Sequence, residues 1–446
     1  MKLFRILFCF GAMSLASTAF AGPSDTHLVL LKGKGVPDSF VQDVDALGGT
    51  ITYSHKIGIA FVSGLSDDAA AQLGATKGVQ NIMQDVAFPM ESPSLSLPAL
   101  AADAAPASPD DPAAAGRYSW QWNMRAIDAD DVWAAGRLGS PDVTVAILDT
   151  GIAYTHADLE GLVDLSRSIS FVPEDDLYVT ALFPGMDLIT DIGYHGTHVA
   201  ATVASNAIAA AGVTSKTTLI GVKVCSVVTG YCTGEAVIAG ILHAVDAGAD
   251  IANMSLGGGF PKNISKGYVG FLNRVFNYAN SNGTLVVVSA GNETIDLDHD
   301  GNYYKTYCST PNTVCVSATG PSSSDDIYEG PFYDVDALAY YSNYGRSAIN
   351  VAAPGGNSGG YVWAACSNTS LVIPACQTGT FVVGLGGTSM AAPHVSGVAA
   401  LIAEDVGGNP GQIKTKLQQT ADDLGQPGTD PAYGKGRINA FNAVSN

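Results

Sequence analysis

Four residues in this chain of 446 have the types and settings needed for nucleophilic acyl transfer. Ser389 follows Gly386 and Gly387 and precedes a run of small residues, Met390-Ala391-Ala392-Pro393-His394-Val395, that reads as a helix. A hydroxyl at a helix N-terminus lies among unpaired backbone N–H groups at the positive end of the dipole, which favours negative charge developing on a substrate oxygen. A serine hydroxyl is a poor nucleophile at neutral pH. It needs a base, and the base needs an acid to hold its tautomer. Asp149 ends the apolar run Ala146-Ile147-Leu148, and His195 opens His195-Gly196-Thr197-His198-Val199-Ala200. Asn292, closing Ser289-Ala290-Gly291-Asn292, supplies a side-chain amide for an oxyanion. Each has an ordinary alternative: an N-cap serine, a turn aspartate, a turn asparagine, a solvated histidine. Their joint occurrence, in the order Asp, His, Ser, favours catalysis.

Such a set needs a scaffold that gathers distant segments. From Tyr118 onward, apolar runs over residues 143–148, 219–224, 251–255, 285–289 and 314–317 read as strands, with helices over 195–205, 234–247 and 269–279. Continuous apolar strands alternating with helices predict an α/β fold with a mainly parallel central sheet covered on both faces. Sites in such sheets lie beyond the carboxyl ends of strands, where Asp149 and Asn292 fall. Upstream, residues 26–31, 50–53, 58–62 and 79–86 read as strands and 39–47 and 66–73 as helices. That order, β-α-β-β-α-β, predicts a small α+β domain of ferredoxin-like type. Residues 91–116 are rich in Pro, Ala, Ser and Asp without apolar periodicity, which predicts a flexible linker. The expected division is therefore 1–21, 22–90, 91–116 and 117–446.

Residues 1–21 carry Lys2 and Arg5, an apolar run from Ile6 to Ala16, and then Ala19-Phe20-Ala21. This is the pattern of a secretory signal peptide cleaved after Ala21, and its apolar run is too short for a membrane anchor. Charged residues make up only 14%, against about 25% in average domains, and the net charge is −20. No cluster of Lys and Arg is present to bind phosphates, so nucleic acid is excluded as a partner. With Cys9 in the leader, six cysteines remain, and in an exported chain they predict disulfides. Closeness in sequence pairs Cys225 with Cys232, Cys308 with Cys315, and Cys366 with Cys376. None has the CxxC spacing of a metal site.

The motifs around Asp149, His195 and Ser389, in that order, resemble those of the subtilisin-like serine proteases, or subtilases. Met254-Ser255-Leu256-Gly257-Gly258, Ser342-Asn343-Tyr344-Gly345, Val351-Ala352-Ala353-Pro354-Gly355 and Tyr433-Gly434-Lys435-Gly436-Arg437 extend the likeness over the chain after about Tyr118. The resemblance implies a three-layer subtilisin-like fold and a secreted, monomeric serine endopeptidase of broad specificity that acts on proteins and peptides through an acyl-enzyme. Ser389 would be the nucleophile, His195 the base, Asp149 its orienting partner and Asn292 the oxyanion donor. Ser255, Leu256, Gly257 and Gly258 would form one edge of the substrate cleft, and Ser289, Ala290 and Gly291 the other, pairing with an extended peptide. The amino-terminal domain would be a propeptide, folding template and intramolecular inhibitor, with processing between about Met90 and Gly116. The chemistry needs no cofactor. A structural Ca²⁺ is expected at Asp158, which matches a family ligand, although residues 206–212 lack the Asn-rich pattern that completes that site. Asp296, Asp298 and Asp300 alternate before Gly301 like half of an EF-hand loop, read either as a second Ca²⁺ site or as a solvated acidic loop. The competing function classes are a catalytically inert binding protein on the same scaffold and an esterase, the latter disfavoured by the order of the three residues.

Overall fold

The computed structural model describes residues 20–21, 25–90, 92–101, 108–257, 260–304, 307–310 and 312–445. Most of the expected leader, with its apolar run, lies outside the described residues, as does Gly258. The amino-terminal part runs β1 (His27–Leu31), α1 (Asp38–Ala46), β2 (Thr50–His55), β3 (Ile59–Ser63), α2 (Asp67–Ala75) and β4 (Val79–Gln84). Its strands form one antiparallel sheet in the order β2-β3-β1-β4. Strand side chains alternate between faces, and this sheet buries both of them. Val29, Leu31 and Val62 pack with Phe40, Val44 and Leu73 beneath the sheet's own helices. Leu28, Leu30 and Phe61 face the other way and join the apolar cluster of the larger domain.

The chain then forms three short strands, β5 (Val86–Pro89), β6 (Leu95–Ser96) and β7 (Leu100–Ala101), before entering the larger domain. There β8 (Thr144–Asp149), β9 (Ile169–Ser170), α3 (Pro173–Leu182), α4 (His195–Val203), β10 (Thr218–Lys223), β11 (Cys225–Ser226), β12 (Tyr231–Thr233) and α5 (Gly234–Asp246) follow. The remainder includes β13 (Ile251–Met254), α6 (Lys262–Ser281), β14 (Leu285–Ser289), β15 (Thr313–Thr319), β16 (Val351–Pro354), β17 (Val362–Ala365), β18 (Phe381–Gly386) and α7 (Thr388–Val406). Seven strands form a wholly parallel sheet in the order β9-β10-β8-β13-β14-β15-β16. Val145 and Ile147 face α4 and α7, while Ala146 and Leu148 face α5 and α6. A strand covered on both sides needs apolar residues at every position, which explains the continuous runs in the sequence.

Three disulfides join Cys225 to Cys232, Cys308 to Cys315 and Cys366 to Cys376. The first pins the β11–β12 hairpin, and the third brackets the turn before β18. Within residues 91–116, expected as a flexible linker, two short strands form. Leu95–Ser96 and Leu100–Ala101 pair antiparallel with β18, and the Leu97 N–H donates to the Gly384 carbonyl at 2.9 Å. Two-residue strands have no periodicity to read. They form here because β18, paired with β17 on one side only, offers an open edge of N–H and C=O groups. Upstream, β5 adds to β12, with Ala87, Phe88 and Pro89 opposite Thr233, Cys232 and Tyr231, while Phe20–Ala21 lie along its second edge.

Candidate active site

Asp149 is the last residue of β8, and its Oδ1 lies 2.8 Å from His195 Nδ1 at the start of α4. Both side chains are nearly removed from solvent. The close approach depends on Gly196, where a Cβ would stand 2.2 Å from the Gly151 carbonyl and 3.1 Å from Asp149 Oδ1. A side chain at 196 would push the helix off the strand end. The loop between the two residues is fastened by Asp191, which the sequence reading missed. Its carboxylate accepts Thr150 Oγ1 (3.0 Å), Gly193 N (2.8 Å), Thr197 N (3.0 Å) and Thr197 Oγ1 (2.6 Å), and Thr150 Oγ1 in turn accepts Gly196 N at 2.9 Å. Complete burial pushes the Asp191 carboxyl up to about 6 against the pull of these donors. No local motif marks Asp191, because its bond to Thr150 joins residues 41 positions apart, and its nearer partners are the Gly193 N–H and Thr197 in the first turn of α4.

Ser389 is the second residue of α7 and is almost fully buried. Its Oγ lies 3.3 Å from the Ser255 carbonyl, and the Ser255 hydroxyl donates to the Ser389 carbonyl at 2.7 Å. In a regular helix that carbonyl would take the N–H of residue 393, but Pro393 has none, so it is available to Ser255. Ser255 stands one residue beyond β13, the neighbour of β8. It is fixed by Asn253 Nδ2 at 3.0 Å, itself held by Ser396 at 2.8 Å. The serine end and the Asp149–His195 pair thus rest on the carboxyl ends of adjacent strands, and α4 packs on α7.

Asn292 follows β14, three residues beyond its end. Its Oδ1 accepts both Thr388 N (2.8 Å) and Thr388 Oγ1 (3.0 Å), which fixes the plane of the amide next to Ser389. Thr388 Oγ1 also accepts the Gly291 N–H at 3.0 Å, so one hydroxyl holds two parts of the centre. Gly291 has φ +93, and a Cβ there would meet Asn343 Nδ2 at 2.5 Å. Asn343 Nδ2 donates to the Ala290 carbonyl (2.8 Å) and to Glu293 Oε2 (2.6 Å). Ser289, Ala290, Ser255, Leu256 and Gly257 are all buried at the strand ends.

His198 and His394 stand apart from this chemistry. Burial pushes them down to about 3 and about 4, so both are neutral and act as hydrogen-bonding core residues on the Val362 and Met390 carbonyls.

A further edge was not visible in the sequence. The Met90 N–H donates to the Gly230 carbonyl at 2.9 Å, and the Val227 side chain packs within 2.9 Å of where a Cβ on Gly193 would be, two residues from His195. Leu95 pairs with Gly386, three residues before Ser389. The covalent chain therefore passes from the histidine side of the centre to the serine side between residues 90 and 95. Four intervening residues reach at most about 17 Å.

The expected cation sites do not fit a cation. Asp158 is fully buried, and its carboxylate is filled by N–H donors: Ile208 and Ala209 at 2.8 Å and Ala210 at 3.2 Å. Positive partial charge already faces it from the 206–212 loop, where a metal ligand would face a cation. Gln121 completes the clamp by exchanging hydrogen bonds with both the N–H and the carbonyl of Ala211. Asp296, Asp298 and Asp300 diverge: the first takes His299 Nδ1 at 2.8 Å, the second Ser347 N, and the third Lys262 Nζ at 2.7 Å. Among the described residues no group of three or more His, Cys, Asp or Glu converges as a metal would require.

Residues 140–436 match the model of the subtilase family, and the chain belongs to that family. Thermitase from Thermoactinomyces vulgaris is 32% identical over 340 residues, covering 76% of this chain and 99% of thermitase. A thermophilic serine proteinase from a Bacillus species (strain AK1) is 32% identical over 329 residues, 73% of this chain and 67% of that protein. Among solved structures, fervidolysin from Fervidobacterium pennivorans, described as a keratinolytic enzyme related to subtilisin, superposes with a TM-score of 0.66 at 25% identity, over 97% of this chain and 63% of that one. The epidermin leader peptide processing serine protease of Staphylococcus aureus shares the fold, with a TM-score of 0.70 at 21% identity over 95% and 98% of the two chains. The fold is subtilisin-like, and the protein is a serine-type endopeptidase with protein substrates.

Proposed function

We propose that this chain is a secreted zymogen whose mature part hydrolyses peptide bonds by an Asp149–His195–Ser389 triad, with broad specificity. The observation that carries the reading is the buried 2.8 Å contact between Asp149 Oδ1 and His195 Nδ1, set on strand ends beside a serine at the N-terminus of α7. With Nδ1–H committed to Asp149, Nε2 takes the Ser389 proton as the hydroxyl attacks the substrate carbonyl. The resulting imidazolium is stabilised by Asp149. The tetrahedral oxygen is met by the Asn292 amide, held by Thr388, and by N–H groups at the start of α7. His195 then protonates the leaving amine, and water, deprotonated by the same imidazole, releases the acyl-enzyme.

The leader-like residues 1–21 and three disulfides support export. The amino-terminal domain is the inhibitor. It adds β5 to the β12 edge, and its sheet is tied down by Lys56 to Asp246 (2.9 Å) and by Arg274 to the Ile57 carbonyl (2.7 Å). Self-processing falls between Met90 and Leu95, where the chain crosses the centre. This is a narrower window than the sequence allows.

Labelling the processed protein with a fluorophosphonate tests the reading, because only an activated serine reacts. Stoichiometric labelling that Ser389→Ala abolishes is expected, and an unlabelled, folded protein would mean an inert binder. Asn292→Ala should lower kcat by about 10²–10³-fold with little change in KM, a magnitude established on subtilisin and so a family figure. An unchanged kcat removes Asn292 from the mechanism.

A further inference from the structure

Strand β5 shows how an extended chain lies on the hairpin edge, and one of its side chains faces space that it does not fill. Val86 and Phe88 point into the apolar cluster under α5 and α6, with Phe88 fully buried and its ring 6.1 Å from that of Tyr307, edge to face. Side chains alternate along a strand. Ala87 points the other way, into a cavity of about 380 Å³. Its walls are Phe171, Val172, Val224, Tyr231 and Ala236, with the exposed Glu174 and Thr229 at the rim. A single methyl group occupies little of that volume. Of the described residues lining the cavity only Ala87 belongs to the amino-terminal domain, so the cavity persists when a substrate replaces that strand.

The outer wall is secured from within. Asp175, in the first turn of α3, is buried, and its carboxylate accepts Ser226 Oγ (2.8 Å), Val227 N (3.0 Å) and Val228 N (3.2 Å). These bonds clamp α3 to the turn that leads into β12. The cavity is thus a built recess between a helix, a disulfide-pinned hairpin and the start of α5, beside a backbone edge already shown to accept a strand.

Building on the endopeptidase reading, we propose that this recess is a specificity pocket for a large apolar side chain in extended peptide substrates. That side chain is the one immediately before the residue that takes the place of Phe88. Leucine, methionine or phenylalanine there gains burial that alanine cannot. An acidic residue meets Glu174 and loses hydration.

Two measurements test the pocket independently. In the first, the processed enzyme is given peptides with the sequence of residues 84–97, carrying Ala, Leu, Phe or Asp at position 87. Leu and Phe should raise kcat/KM about 10-fold over Ala, chiefly through KM, and Asp should lower it. Thr229→Trp, which plugs the rim, should bring the Leu-to-Ala ratio close to about 1. In the second, Ala87→Leu and Ala87→Asp are placed in the full-length Ser389→Ala chain, which cannot process itself. Leu should raise Tm by about 2 °C and Asp should lower it. Equal turnover of the Ala, Leu and Phe peptides, a preference that survives Thr229→Trp, or a fall in Tm with Leu each overturns the pocket. Absence of turnover with every peptide counts instead against the endopeptidase reading, and the melting measurement then decides the pocket alone.

Discussion

On the Gly230 side of the catalytic centre the chain is held by backbone pairing and by buried side chains together, and on the Gly386 side it is held mainly by backbone. The first segment sinks Phe88 fully into the core and places Asp85 at the N-terminus of α5, where its Oδ1 accepts the Glu235 N–H at 3.0 Å. The second, β6 and β7, lies on β18 through main-chain bonds, with Leu97 and Leu100 only partly buried against Trp363 and Val382. Backbone pairing accepts almost any sequence, whereas a filled pocket selects one. On the proposed function, the centre is expected to be more discriminating on the side where the amino-terminal domain docks and more permissive on the side from which the leaving group would depart.

The largest effect that would sharpen this contrast is expected from Phe88→Ala in the full-length Ser389→Ala chain. Loss of a fully buried ring should cost about 3–5 kcal/mol in denaturant unfolding of the docked prodomain. A loss under about 1 kcal/mol would erase the contrast. Next comes pH. Burial, with Glu235 nearby, pushes the Asp85 carboxyl up to about 8, and its Oδ2 is buried without a hydrogen-bond partner among the described residues. The docked state therefore prefers the neutral acid. Its hold is fully present below about 4, where the undocked carboxyl is also protonated, declines as pH rises through about 8, and is flat above that. Inhibition by the prodomain should be at least about tenfold weaker at pH 9 than at pH 5, and Asp85→Asn should flatten the profile in an activity assay of the processing mixture. A slope that persists in Asp85→Asn would assign the effect to another group. The smallest effect is on the other side: Leu97→Pro removes the N–H that reaches Gly384 and should cost only about 0.5–1.5 kcal/mol by the same unfolding measurement. A cost matching that of Phe88→Ala would mean that both sides are specific.

What the sequence revealed follows from where the chemistry sits. Asp149, His195 and Ser389 could be proposed from the sequence because each lies at an end of an element, with Asn292 three residues past another, and the elements were readable from continuous apolar runs. The small domain was legible for the same reason, strand by strand. Thr388 and Asp191 were not, since their roles are hydrogen bonds to residues 96 and 41 positions away. Helix α3, with its exposed Leu177, Tyr178 and Leu182, lacks an amphipathic pattern to announce it. The strands β6 and β7 are too short to carry a period and exist only because β18 has a free edge. The surroundings of Asp158 were not legible for a general reason. A carboxylate in a sequence does not say whether amides or a cation will face it, and here the loop had turned its N–H groups inward.

Pro393 sits in α7 where most helices would lose a bond without return. Here the carbonyl of the proposed nucleophile is handed to a hydroxyl from a different strand end, so the seat of Ser389 belongs to the sheet as much as to the helix. Warming that loosens β13 from α7 would misalign the attacking oxygen before either element melts, and activity would fade at a lower temperature than the fold.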